Sequence, residues 1–246
     1  MPSIKGKRVL VTGGSRGVGA EICRQAAAEG AIVAVNYASS KEAAEKLVAS
    51  LAGSGHVIVQ GDAFTHAGCD GIVADARKAL GGIDAIVSNQ GWTKFADWRD
   101  LESVADDEWM KIYNANVMSH LWLIQAAKKD LVANKGSFII TGSIAGSQTS
   151  GSSLAYSVAK AGCLHLTRGL AKSCAPDIRV NCVAPGLMLT EWAAGFSEAQ
   201  IQASKDITLL GGTSEVEDVA GAFIMLLRNG SITGEIIEVS AGYGKK

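Results

Sequence analysis

Short apolar runs recur along the chain: "RVLVT" (8–12), "AIVAVN" (31–36), "HVIVQ" (56–60), "IDAIVS" (83–88), "SFIIT" (137–141), "IRVNCV" (178–183) and "EIIEV" (235–239). Each is nearly continuous in apolar character rather than alternating, as strands buried on both faces are. Between them lie helical stretches rich in Ala, Leu, Lys and Glu, such as "KEAAEKLVASLAG" and "EVEDVAGAFIMLLRN". Strand and helix alternate throughout, which predicts an α/β fold with a doubly wound parallel sheet. Right-handed crossovers would put helices on both of its faces.

One segment breaks the rhythm. Between Pro185 and about Gly212, "GLMLTEWAAGFSEAQIQASKDITLLGG" follows a strand end before the next clear helix. A long excursion at the C-terminal side of a parallel sheet is where ligands bind. We expect a substrate loop or lid at about 186–212; a structural insertion is the alternative. No linker, repeat or low-complexity tract divides the chain, so residues 1–246 are expected to form one domain.

The whole-chain properties exclude several classes. The 246 residues are 48% hydrophobic and 19% charged, with net charge −1. That balance suits a globular protein with a sizeable core. Basic residues form only the pairs Lys128-Lys129 and Lys245-Lys246, so neither nucleic acid nor an anionic membrane is an expected partner. Five cysteines without C-x-x-C spacing suit a reducing compartment. Four scattered histidines form no metal-ligand motif, and no metal is expected. No signal peptide is visible, and no apolar run approaches the ~20 residues of a membrane span. A cytoplasmic protein is expected.

The candidate chemistry begins in "VLVTGGSRGVGAEICRQAAAEGA", a strand, a glycine turn and an amphipathic helix. Gly13, Gly17 and Gly19 give the spacing G-x-x-x-G-x-G. Glycine lets backbone approach a pyrophosphate, and a helix N-terminus offers free N–H groups to the anion. An NAD site usually places an acidic residue at the end of the second strand. Here Asn36, Tyr37, Ala38, Ser39 and Ser40 hold no carboxylate, and Arg16 sits inside the turn. A cation with small hydroxyls suits a 2′-phosphate, so NADP(H) is the expected cofactor. The plainer readings are a solvated cation for Arg16 and a helix N-cap for Ser39.

A second constellation lies further on. "YSVAK" (156–160) puts Tyr156 and Lys160 at i and i+4, on one face of a helix. That pair is common by chance. But Ser143 lies just beyond "SFIIT", Asn116 lies in the helical stretch "YNANVMSH", and "SNQG" (88–91) ends the fourth strand. With "TGGSRGVG" (12–19), "N-x-V-x-P-G" (181–186) and "ITGEIIEVSAG", these residues resemble the classical short-chain dehydrogenase/reductase family over essentially the whole chain.

The resemblance implies a seven-stranded Rossmann-type sheet, a nicotinamide dinucleotide, a homotetramer and a small-molecule carbonyl substrate. It implies a glycine-turn contact set of Gly13, Ser15, Arg16, Gly17, Val18 and Gly19, with Asn36, Tyr37, Ala38 and Ser39 beyond the second strand. Asp62 and Ala63 would lie near the adenine. Asn89 and Gly91 match two positions of the usual N-N-A-G, where Ser88 and Gln90 depart from it. Pro185, Gly186, Met188 and Thr190 would meet the nicotinamide end. Tyr156 is expected as general acid, Lys160 as its tuning cation and ribose ligand, and Ser143 as hydrogen-bond donor to the substrate oxygen. Asn116 would support a water-linked proton path. A free phenol titrates at about 10, and a nearby ammonium favours the phenolate.

Trp92, Phe95, Gln148, Trp192 and Phe196 are the expected substrate pocket, suited to an apolar or ring-containing ketone. Lid packing and subunit contact are the alternatives for each. The chain is also similar to 3-oxoacyl-carrier-protein reductases. An acidic carrier needs a basic dock, for which Lys128, Lys129, Lys135 and Lys172 are candidates. "CAPDIRVN" has proline and aspartate where a basic residue often precedes that strand, which favours a NADPH-dependent ketone reductase. A non-catalytic NADP-binding protein and an oxidation-directed dehydrogenase are the remaining alternatives.

Overall fold

The computed structural model describes residues 3–245. In chain order its elements are β1 (Arg8–Val11), α1 (Gly17–Ala28), β2 (Ile32–Tyr37), α2 (Lys41–Ser50), β3 (Val57–Gln60), α3 (His66–Leu80) and β4 (Ala85–Ser88). These are followed by α4 (Asp106–Tyr113), α5 (Ser119–Ala133), β5 (Ser137–Thr141), α6 (Leu154–Cys174), β6 (Arg179–Pro185), α7 (Glu198–Asp206), α8 (Val216–Arg228) and β7 (Ile236–Val239). The strands form one parallel sheet in the order β3-β2-β1-β4-β5-β6-β7. Every apolar run of the sequence is one of these strands.

Side-chain parity splits the core in two. Val9 and Val11 of β1, with Val33, Val35 and Tyr37 of β2, join α1 and α8 on one face. Leu10, Ala34 and Ile86 face the opposite way and join α3, α5 and α6. Both faces are covered, which is why the strands read as continuous apolar runs.

Strand order reverses direction between β1 and β4, because the chain moves outward to β3 and then returns. A crevice opens at such a switch point, beyond the C-terminal ends of the strands. The excursion after β6 overhangs it. A 3₁₀ turn (Glu191–Gly195) leads there into α7. The Ser197 hydroxyl accepts from Gln200 N and the Gln200 side chain accepts from Ser197 N, which starts α7.

The opposite end of the sheet is closed by charge pairs. Arg8 Nε donates to Asp84 Oδ2 at 2.8 Å, and Arg8 Nη1 donates to the Gly81 carbonyl at 2.6 Å. Lys135, just after α5, pairs with Asp177. Helix α5 begins at Ser119, bonded to Gln90 at the crevice end of the sheet, and is followed by Asn134, bonded to the Ile83 carbonyl at this far end. Lys128, Lys129 and Lys135 therefore lie away from the crevice, as does Lys172 in the last turn of α6. The expected basic dock beside the site is not formed by these lysines.

Candidate active site

The glycine turn is built from both sides of the switch point. Gly17 has φ +53°, a conformation that L side chains rarely adopt. A Cβ at Gly19 would collide with the Gly13 carbonyl oxygen and Asn89 Nδ2. Asn36 Oδ1 accepts from Gly13 N at 3.2 Å, while Asn36 Nδ2 donates to the carbonyls of Val59 and Gly61. Asn89 Nδ2 donates to Gly13 O at 3.2 Å, and Asn89 Oδ1 accepts from Thr141 Oγ1 at 3.0 Å. Two asparagines at strand ends thus spend their side chains on holding the turn. The N-terminus of α1 stays open toward the cleft, a geometry that accepts an anion.

Across the sheet, two residues beyond β5, the Ser143 Oγ accepts from Ala145 N at 3.1 Å at the start of a 3₁₀ turn (Ile144–Gly146). That acceptor role leaves the hydroxyl proton free to point elsewhere. Helix α6 is capped by Ser153, whose Oγ accepts from Tyr156 N. The cap puts Tyr156 and Lys160 on the first two turns, facing the cleft. Lys160 is only 3% exposed. Its Nζ donates to the Thr141 carbonyl at 2.8 Å and lies 5.7 Å from the Tyr156 ring centre. A nearly buried ammonium with one protein acceptor retains donors for a ligand.

Asn116 sits in a π-helical turn (Asn114–Met118) between α4 and α5. Its Nδ2 donates to the carbonyls of Trp92 (2.6 Å) and Ile112 (2.8 Å), and its buried Oδ1 has no partner among the described residues. π-turns frequently mark functional sites.

Gln90 explains a departure from the family pattern. Its Oε1 accepts from Thr12 Oγ1, and its Nε2 donates to Ser119 Oγ at 2.7 Å and Ser88 Oγ at 3.1 Å. Ser88 Oγ bonds His120 Nδ1 at 2.7 Å. This buried network joins β1, β4 and α5 behind the cleft floor. Further along α6, Cys163 is a fully buried free thiol, as is Cys182 on β6. Burial raises the Cys182 thiol well above its ordinary value, so it stays protonated and inert.

The cleft has a volume of about 730 Å³. Its wall includes Gly13, Arg16, Gly17, Val18, Gly19, Asn36, Ala38, Asp62, Ala63, Asn89 and Gly91. It also includes Ser143, Tyr156, Lys160, Pro185, Gly186, Met188, Thr190, Trp192 and Phe196. Seven expected residues lie off the wall: Ser15, Tyr37, Ser39, Trp92, Phe95, Asn116 and Gln148. Tyr37 is a correction forced by strand parity: it is buried with Val33 and Val35 against the first core. Ser39 is exposed, and Ser40 stands at the start of α2 in the place expected of Ser39. Trp92 packs under the Lys111 ammonium, 4.0 Å from its ring centre. Phe95 meets Phe196 edge to face at 4.9 Å, backing the wall rather than forming it. Gln148 is exposed. Trp192 lies 6.1 Å from the Tyr156 ring, centre to centre.

Several wall residues were not anticipated. Gln200, Ala203, Ser204 and Ile207 come from α7 and its end, and Phe64 and Tyr243 from distant loops. "SEAQ" (197–200), a capping-box pattern, is the signal that would have found α7. Among the described residues no helix is long and apolar enough to cross a membrane, and no cluster of His, Cys, Asp or Glu forms a metal site.

Known proteins share this architecture. Residues 13–244 match the family described as Enoyl-(Acyl carrier protein) reductase. An oxidoreductase of Methylorubrum extorquens is 35% identical, over 98% of this chain and 99% of its own. The 3-oxoacyl-acyl-carrier-protein reductase FabG of Escherichia coli is 32% identical, over 98% of each chain. A short chain dehydrogenase from Burkholderia cenocepacia, solved in complex with NADP, is 30% identical with a TM-score of 0.88, covering 97% of this chain and 98% of that one.

Proposed function

The chain belongs to the short-chain dehydrogenase/reductase family of oxidoreductases, and from that premise we propose that it uses NADPH to reduce a ketone to a secondary alcohol. What carries this reading is one juxtaposition. Ser143, Tyr156 and Lys160 line the same cleft as the glycine turn, and the second strand ends there without a carboxylate.

The residues present fit a dinucleotide. Gly13, Gly17 and Gly19 would receive the pyrophosphate at the N-terminus of α1. Arg16, beside Ser40, would hold the 2′-phosphate, and Asp62 would lie by the adenine. Lys160 has donors left for the nicotinamide ribose. The cofactor, when bound, supplies the hydride. Ser143 Oγ donates a hydrogen bond to the substrate oxygen, stabilising charge that develops there. Tyr156 Oη gives that oxygen its proton, completing the alcohol. Lys160 favours the phenolate that remains. Asn116 Oδ1, buried and unpartnered, is suited to hold a water on the path by which that proton is replaced.

The excursion would act as lid. Trp192, Phe196 and Ile207 give its underside an apolar, aromatic character, which favours a ring-containing or otherwise bulky ketone. A homotetramer is part of the proposal; Met110 and Tyr113 of α4 and Leu154 and Val158 of α6 are exposed apolar residues on adjacent helices. A second reading, reduction of a carrier-bound 3-oxoacyl chain, is favoured by the Escherichia coli relative. The distant positions of Lys128, Lys129, Lys135 and Lys172 count against it.

The test is NADPH consumption, with NADH in parallel, against a 3-oxoacyl thioester, a bicyclic aromatic ketone and a simple diketone. Turnover with NADPH should fall about 10²–10⁴-fold in Tyr156→Phe. Best activity on the carrier-bound thioester would favour the second reading. Tight NADPH binding without turnover on any ketone would point to a non-catalytic role, and preference for NADH would remove the assignment of Arg16.

A further inference from the structure

Outside the reacting groups, one cation ties together three segments at the cleft mouth. Arg16 precedes α1 with extended backbone (φ −152°, ψ 173°). Its Nη1 donates to Glu191 Oε2 at 2.8 Å, and its Nη2 donates to Ser40 Oγ. Glu191 is the first residue of the 3₁₀ turn in the excursion, next to Thr190, whose side chain lies 4.0 Å from where a Cβ on Gly17 would sit. Ser40 marks the end of the second strand's loop. One guanidinium therefore clasps the glycine turn to the overhanging segment.

The clasp is weak as a structural device. The Arg16 and Glu191 side chains are 54% and 75% exposed, and ion pairs so placed add little to stability. Its location is what matters. Among the residues of the cleft wall, Arg16 and Lys160 are the cations, and Lys160 is engaged at the other end. An anion beside Ala38 and Ser40 meets Arg16 as the cation of the cleft wall at that end.

We infer that Glu191 is a specificity-determining residue, competing with the cofactor's 2′-phosphate for Arg16 and so setting how strongly the chain prefers NADPH to NADH. This rests on the NADPH reading given above. A guanidinium is a planar fork that pairs best with one carboxylate or phosphate on an edge. A 2′-phosphate must either displace Glu191 from Nη1 or share the cation with a second anion; both weaken its binding. NADH carries only a hydroxyl at that position and makes no claim on the charge. The carboxylate therefore opposes one nucleotide and is nearly indifferent to the other. Because the groups are solvent-exposed, the opposition is modest and screened by salt.

The experiment is a fluorescence titration of NADPH and of NADH, without substrate, on the wild type and Glu191→Gln, at low and high salt. Glutamine keeps the shape and removes the charge. The dissociation constant for NADPH should fall by about two- to fivefold at low salt. That for NADH should change less, so the NADPH preference rises, and the gain should shrink at high salt. An unchanged or reduced preference overturns the inference, including the case where both nucleotides weaken equally because Glu191 merely anchors the excursion. A wild type that binds NADH more tightly fails separately, by removing the nucleotide reading itself.

Discussion

The two ends of the parallel sheet are made from the same strands and differ in what they leave unfinished. At the N-terminal end Arg8 and Asp84 satisfy each other through side chains and backbone, at 2.8 Å for both Nε and N to Oδ2. Asn134 covers the Ile83 carbonyl, and Lys135 meets Asp177. At the C-terminal end an ammonium is nearly buried with one acceptor, an asparagine carbonyl is buried with none, and a helix N-terminus opens on a cleft. Paired groups lower the energy of the empty fold. Groups short of partners raise it, and they gain only when something binds. The contrast predicts that substitutions at the two ends separate cleanly into those that change turnover and those that change stability.

After Tyr156→Phe, the largest effect should come from Ser143→Ala. The hydroxyl is proposed to donate where charge develops, so kcat should drop about 10²–10³-fold. Its one observed bond is to Ala145 N in a three-residue turn, so the unfolding midpoint should hardly move. Steady-state kinetics and a thermal melt on the same sample check both halves. A variant that keeps its turnover, or that melts early, would blur the distinction between the two ends.

Gln90→Ala should be intermediate, because Gln90 belongs to both roles. It lines the cleft and anchors the network through Thr12, Ser88 and Ser119. Truncation leaves buried hydroxyls short of a partner and opens a void, a loss of about 1–3 kcal/mol by denaturant unfolding. Turnover should fall less than tenfold, since Ser143, Tyr156 and Lys160 hang from β5 and α6 instead.

Gln90 also marks the limit of what the sequence discloses. The seven strands were legible because a buried parallel strand needs an unbroken apolar run. Tyr156 and Lys160 were legible because helical spacing alone puts them side by side. Gln90 looked like a misfit because its partners lie at Thr12 and Ser119, far along the chain, and only the strand order brings them together. Tyr37 was misplaced for a related reason. When both faces of a strand are apolar, composition does not say which face the next residue takes, and parity with Val33 and Val35 sends the ring into the core. Lys128 and Lys129 of α5, Lys135 beyond it and Lys172 of α6 were candidates for a carrier dock at the site because sequence gives no end to a helix in space. The Arg16–Glu191 contact spans 175 residues and two exposed side chains, with no periodic signal to betray it.

The smallest effect, and the sharpest test of the far end, lies in acid. Burial alone would raise the Asp84 carboxyl, but the hydrogen bonds and charge of Arg8 outweigh it and hold the group below the ordinary aspartate value of about 3.9. A folded value below the unfolded one means that the unfolded chain takes up the proton first as pH falls. The stabilisation from Asp84 is therefore complete above about pH 4 and is lost as the pH drops through the lower folded value. Asp84→Asn keeps the shape and loses the charge. At neutral pH it should cost about 1–2 kcal/mol, with kcat unchanged because the cleft lies at the opposite end of the strands. As the pH is lowered from 5 toward 2, the wild type should lose that advantage and the two unfolding curves should converge. Curves that stay parallel throughout would mean that Arg8 and Asp84 are merely neighbours, and that the stability of this end comes from the apolar layers on either side of the sheet.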